Sequence, residues 1–159
     1  MSIQPAASAP QPAGQPLARM MVVTVDGFNM VVPGEDISTF GSVHDLETGD
    51  LGKNTIGWIR VAGSRYPVYC FSEDFEMSTY LLENRSICVV LKKSDLAFMC
   101  SDIKTFDYPV ENILPLPRCM ALSATPVEGF CLYLDGNDLN TRMLCSARSI
   151  KKFIDMSNQ

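Results

Sequence analysis

Apolar positions in this chain come in short runs broken at close intervals by turn residues. Residues 20–25 and 28–32 are β-rich runs on either side of Asp26-Gly27, a strong short hairpin signal, and Pro33-Gly34 ends the second run. Residues 56–61 carry the β-branched and aromatic bias of a strand. The pair Gly63-Ser64 reads as a turn, and residues 66–71 resume in extended form. Pro67 in that return strand fits an edge, a strand start or a bulge. Residues 86–92 form a near-continuous apolar run, the pattern of a strand buried on both faces. After the turn Lys93-Ser94-Asp95 come a second buried strand at 96–100 and a half-exposed one at 103–108. Residues 113–117 are held extended by their prolines. Residues 130–134 and 139–145 are strands around a turn at 135–138.

Helical signals are few. Ile150, Phe153 and Ile154 share one face of a short amphipathic helix predicted over 147–156. Ser72, followed by Glu73 and Asp74, has the composition of a helix start, which predicts a short helix near Phe75 and Met77. Residues 41–54 read as a loop. Many short strands with frequent turns and small helices indicate an all-β barrel or sandwich. A weak internal echo, clearest between 57–77 and 129–154, repeats strand, glycine-bearing turn, return strand and polar segment. That echo favours two related lobes over one large sheet.

Composition narrows the class. The chain has 159 residues, 47% hydrophobic and 19% charged, an ordinary globular balance with room for one domain of two lobes. Residues 1–18, rich in Pro, Ala, Gln and Ser, read as a flexible tail without the pattern of a secretory signal, and the domain is expected over 19–156. A net charge of −5 with no basic run longer than Lys92-Lys93 or Lys151-Lys152 argues against nucleic-acid binding. No apolar run approaches membrane-spanning length, so no direct membrane insertion is expected.

The six cysteines occur singly, four of them (Cys70, Cys88, Cys131, Cys145) in apolar settings that suit buried free thiols in the cytoplasm. Cys119, between Arg118 and Met120 in a linker expected to be exposed, is the best candidate for a reactive thiol. With one histidine, His44, in a polar loop and no paired ligand spacing, neither a metal site nor a catalytic constellation is visible, and no cofactor is expected.

The stretch 57–71 holds the sole tryptophan and two of the five tyrosines, and looks like a packed hairpin with a surface to offer. Its Gly57, Gly63 and Pro67 keep the spacing of the most recognisable stretch of the CheW-like domain of bacterial chemosensory systems, which the chain resembles over residues 20–154. Residues 96–102 resemble that family's apolar strand ending in Asp, here Asp102. Residues 113–117 resemble its proline-bearing linker, and Pro126 through Gly129 and Phe130, with Asp135-Gly136, its last hairpin. Two positions depart: Ala62 stands where the family has an arginine at its receptor-binding surface, and Cys70 where it has a strand-ending Asp.

The resemblance implies an all-β fold of two small five-stranded, SH3-like barrels sharing an apolar core, with a short C-terminal helix. It implies a non-enzymatic scaffold that couples a chemoreceptor cytoplasmic domain to a CheA-like histidine kinase through the kinase's regulatory domain. Trp58, Arg60, Ala62 and Gly63 would form the partner-binding surface. An alternative keeps the fold as a regulatory or small-molecule-sensing barrel that has lost kinase coupling, consistent with the missing arginine. An enzyme built on acidic pairs such as Glu73-Asp74 is disfavoured, since nothing places two carboxylates around a pocket.

Overall fold

The structure, a computed structural model, describes residues 16–25, 27–72, 74–120 and 125–159. The first fifteen residues of the expected tail, Asp26 of the first hairpin turn and Glu73 lie outside the described residues.

Two curled sheets build two lobes. In chain order the strands are β1 (Leu17–Val25), β2 (Phe28–Pro33), β3 (Ile37–Ser42), β4 (Gly57–Val61), β5 (Ser64–Phe71), β6 (Met77–Ser78), β7 (Ile87–Leu91), β8 (Ala97–Cys100), β9 (Asp102–Pro109), β10 (Ile113–Pro115), β11 (Gly129–Asp135) and β12 (Asp138–Leu144), followed by helix α1 (Ala147–Ser157). The first lobe has strand order β10-β11-β12-β2-β1-β9, and the second β3-β7-β8-β5-β4 with β6 paired to β5. The second lobe is thus one continuous stretch of chain inserted between β2 and β9 of the first.

The two lobes repeat one pattern of five strands. In β9-β1-β2-β12-β11 and in β3-β7-β8-β5-β4 the successive pairings run antiparallel, antiparallel, parallel, antiparallel. The echo in the sequence therefore has a structural basis: the β4–β5 and β11–β12 hairpins are counterparts. Strands β10 and β6 are additions to the two five-strand paths.

Among the described residues, three apolar clusters form the core. One lies inside the first lobe around Met20, Val22, Val31, Tyr108, Cys131 and Leu144. Another lies inside the second around Ile59, Val68, Cys70, Cys88, Val90 and Met99. The largest joins both lobes, combining Val23, Met30 and Val32 with Phe71, Val89, Leu91 and Phe98 under Ile150, Phe153 and Ile154 of α1. Strands β7 and β8 lie between the inner cluster of their lobe and this shared one, so both of their faces are buried, as their apolar pattern predicts.

Helix α1 is tied in at its start. Ser146 Oγ accepts a hydrogen bond from Ser149 N at 3.1 Å, and Asp36 Oδ2 accepts from Ala147 N at 2.9 Å. The latter places a carboxylate at the positive end of the helix.

Three local expectations are corrected. Among the described residues no helix follows Ser72: its hydroxyl accepts from the backbone N–H of Asp74 and Glu76, Phe75 turns through φ 60°, and the chain enters β6. Buried Arg85 holds this segment by donating to the carbonyls of Phe71 and Glu83 at 2.9 and 3.1 Å. The serine-and-acid signal is satisfied equally well by a turn, and Phe75 and Met77 pack onto the shared cluster. Residues 41–54 are also more ordered than a loop. They include the end of β3 and a 3₁₀ turn at Val43–Asp45 closed by a capping box between Ser42 and Asp45. The hairpin turn of β4–β5, finally, is Ala62-Gly63, because Val61 and Ser64 are already paired.

Candidate partner-binding site

The β4–β5 hairpin lies at one end of the second lobe's sheet, with β4 as the edge strand. Its two-residue turn has positive φ at both central positions, 49° at Ala62 and 85° at Gly63. This is the backbone of the hairpin turn whose twist matches the strands. Glycine accepts it freely, whereas Ala62 holds it at a steric cost of about 1–2 kcal/mol. Both turn residues are exposed.

Alternation along the paired strands divides the hairpin into two faces. Gly57, Ile59 and Val68 point inward, and Ile59 and Val68 belong to the lobe's inner cluster. Trp58 and Arg60 point outward with their cross-strand partners Pro67 and Arg65. Trp58 is half-buried, not enclosed. Its indole Nε1 donates to Gly49 O at 3.0 Å, and the Arg65 guanidinium lies 4.2 Å from its ring centroid. Arg60 meets Glu47 through two contacts of 3.3 Å, Nε to Oε2 and Nη2 to Oε1. Exposed as it is, this pair contributes only about 0.2–1 kcal/mol, so its main effect is to fix the direction of the guanidinium.

Arg60 and Arg65 are thereby like charges directly opposite each other, an arrangement that is destabilising on an antiparallel pair. Each is offset by a different neighbour, Arg60 by the Glu47 carboxylate and Arg65 by the indole face. The result is a fixed outward strip of Trp58, Arg65, Arg60 and Glu47 leading to the exposed turn. Of the residues predicted from sequence, the structure brings Trp58 and Arg60 together on one face, with Ala62 and Gly63 at its tip. Glu47 belongs to the strip as well, although the pattern around it reads as a solvated loop. Its backbone closes the β4 edge by exchanging 2.8 Å hydrogen bonds with Trp58, a long-range pairing with no local signal.

That exchange also explains Pro67. The sequence predicts an edge or irregular position, yet β5 lies between β4 and β8. Trp58, opposite Pro67, uses both backbone groups on Glu47, and pairing with β8 starts only at Val68. No ladder bond needs the missing N–H.

The other signature residues are dispersed. Gly129, the counterpart of Gly57, opens β11, and Asp102 is an exposed residue at the start of β9, paired with Thr24 in the first lobe. Cys70, in place of the family Asp, is fully buried in β5. Burial pushes its thiol up, a shift partly opposed by a backbone hydrogen bond at Leu82 and by Arg85. His44 and Cys119 are exposed.

Beside the hairpin, a cleft of about 420 Å³ opens between β3 and β4, lined by Phe40, Gly41, Asp45, Arg60 and Val61 among others. Among the described residues, no group of three or more His, Cys, Asp or Glu side chains is placed to hold a metal ion, and no helix is long and apolar enough to cross a membrane.

No protein-family model matches the sequence, and no curated protein matches it. Solved structures do. The scaffolding protein TtCheW from Thermoanaerobacter tengcongensis superposes with a TM-score of 0.60, covering 80% of this chain and 88% of its own, at 13% sequence identity. The chain therefore has a CheW-like fold, two half-barrel lobes and a C-terminal helix, carried by a strongly divergent sequence.

Proposed function

We propose that the protein is a non-enzymatic adaptor in a bacterial chemosensory, motility or pilus-control pathway, acting in the cytoplasm. It couples a chemoreceptor cytoplasmic domain to the regulatory domain of a CheA-like histidine kinase by protein–protein contacts. The fold shared with a scaffolding protein supports this reading. The observation that carries it is the outward strip of the β4–β5 hairpin, where Trp58 and two oriented arginines face solvent beside an exposed turn. Tryptophan and arginine are the residues most enriched among interface hot spots.

With Ala62 in place of the family arginine, the cationic contacts fall to Arg60 and Arg65, one strand pair below the turn. Both guanidiniums are already oriented, which lowers the ordering cost of meeting a partner carboxylate. Residues 19–156 act as one unit in this reading, because the largest apolar cluster draws on both lobes and α1.

The test is titration calorimetry of the full chain against the kinase regulatory domain and the receptor cytoplasmic domain from the same organism. Binding is expected, with Arg60→Glu and Arg65→Glu each weakening one of the two complexes by about tenfold or more. Absence of any complex at tens of micromolar overturns the adaptor reading. A second reading, consistent with alanine at position 62 where the family has an arginine, is a regulatory barrel that senses a small molecule. Under that reading a metabolite raises the melting temperature in a concentration-dependent way while neither protein partner binds.

A further inference from the structure

Helix α1 follows β12 of the first lobe, yet residues from far upstream cap both of its ends. At its start the distant cap is Asp36. At its finish the caps come from the segment between β3 and β4. Asn54 Nδ2 donates to Asn158 Oδ1 at 2.9 Å and reaches the Ser157 carbonyl at 3.5 Å, and Lys53 Nζ donates to Gln159 O at 3.1 Å. The last carbonyls of a helix have no partner inside it, and its negative end favours a cation. An amide donor and an ammonium answer those two needs.

The segment that supplies these groups has little else to hold it. Residues 48–53 are all exposed, and among the described residues none of them belongs to an apolar cluster. Leu51, the one large apolar residue of the segment, is 47% exposed. The backbone passes through the left-handed region at Gly49, Asp50 and Asn54, with φ 111°, 49° and 61°. On either side the chain is fixed: Glu47 exchanges hydrogen bonds with Trp58, and Ile56 N donates to Val68 O at 2.9 Å. Between those points, among the described residues, the ties to the rest of the molecule are Asn54 and Lys53 on α1, and the Trp58 indole, whose Nε1 donates to Gly49 O at 3.0 Å. The loop thus has the end of α1 on one side and Trp58 on the other.

We propose that the last turn of α1 sets the orientation of Trp58 through this loop, with Asn54 as the positioning residue. The Gly49 carbonyl seats the indole N–H only where the loop puts it, and a segment without packed side chains keeps its place through its polar ties. Asn54 suits the task, because asparagine adopts a positive φ more readily than most residues and its amide can then reach the helix end.

This inference deepens the reading of the β4–β5 strip as a partner surface, and rests on that reading only for its effect on binding. A fixed indole costs a partner less to order than a free one. By linkage, a partner that draws the indole off Gly49 loosens the loop and the end of α1, the helix packed on both lobes.

The sole tryptophan gives the test a single signal, the indole N–H resonance of Trp58 in the isotope-labelled full chain. Asn54→Gly removes the amide and leaves the backbone unstrained, since glycine accepts a positive φ. It is expected to speed exchange of the indole N–H with solvent about threefold or more. Asn158→Ala, which removes the acceptor on the helix, should do the same, and the double variant should exchange no faster than either single one. Ser146→Ala is the control. It removes a cap at the opposite end of the same helix, lowers the melting temperature and should leave the indole unchanged.

An unchanged rate in folded Asn54→Gly, or effects of the two variants that simply add, overturns the proposal. Equal acceleration by Ser146→Ala overturns it too, because the effect would then follow general loss of stability. Calorimetry against the kinase and receptor domains reads the consequence for binding, which Asn54→Gly is expected to weaken about threefold to tenfold. The indole signal needs no partner, so a wild-type chain that binds neither domain sinks the adaptor reading and leaves the link to α1 standing.

Discussion

A β-carbon on Gly57 would lie 2.9 Å from the carbonyl oxygen of Glu47, the same oxygen that accepts the Trp58 N–H across the β4 edge. The counterpart in the other lobe repeats the arrangement, with Gly129 set against the carbonyl of Leu114 in β10. In each lobe a glycine at the start of the hairpin lets a passing strand approach closely enough to close the sheet edge. Gly57→Ala is therefore expected to destabilise the protein by about 1–3 kcal/mol, because the obstacle is backbone and cannot rotate away. Urea unfolding checks this. Gly129→Ala should cost at least as much, since its carbonyl is nearer.

Replacing Ala62 should act in the opposite direction. At φ 49° an alanine is strained and a glycine is not, so Ala62→Gly is expected to raise stability by roughly 1 kcal/mol. Ala62→Val should lower it. Thermal unfolding of the three proteins gives the ranking. The same position bears on binding: Ala62→Arg adds a guanidinium at the exposed turn and should tighten a complex with an acidic partner surface.

In the first lobe, Arg142 fills the space between β9 and β12. Its Nη1 donates to the Tyr108 hydroxyl at 2.8 Å, and its guanidinium carbon lies 3.9 Å from the Tyr133 ring centroid and 5.2 Å from that of Phe106. Loss of a planar stacked cation and its hydrogen bond predicts a penalty of about 1–3 kcal/mol for Arg142→Ala. Arg142→Lys should recover little of it, because an ammonium cannot stack in the same way. Chemical denaturation of both variants tests the distinction.

Thiol chemistry should separate Cys119 from the other five cysteines. It is exposed and they are buried. A thiol reagent is expected to modify Cys119 rapidly in the native protein and all six in denaturant. Burial pushes the thiols of Cys88 and Cys100 up to about 12, and that of Cys131 to about 11, from an ordinary 9.0. The folded chain therefore keeps protons that the unfolded chain releases. The stability this contributes is complete below pH 9.0 and is lost progressively as pH rises toward 12. Denaturation midpoints measured across that window should fall. A flat profile would contradict the burial of these thiols.

Strand positions, the closing helix and the resemblance between the two halves were legible in the chain, because each rests on local information. Runs such as 87–91 and 97–100 are apolar at every position, and Ile150, Phe153 and Ile154 recur at helical spacing. The segment after Ser72 misled because a serine followed by acids satisfies a turn as readily as a helix, and only the packing of Phe75 and the carbonyl contacts of Arg85 decide between them. Of the candidate site, Trp58 and Arg60 could be placed on one face by alternation, while Glu47 could not, since its pairing joins segments separated by a turn-rich stretch.

By itself, then, the sequence determined most of the strand segments and where glycine and proline break them. Those properties follow from side-chain chemistry and backbone preference at neighbouring positions. Only the tertiary structure decided that the lobes share one order of strands, that Pro67 can sit inside a sheet, and that Glu47 joins Trp58 and Arg60 on one outward strip. Each of those depends on which distant segment lies opposite a residue, a relation that no local pattern encodes.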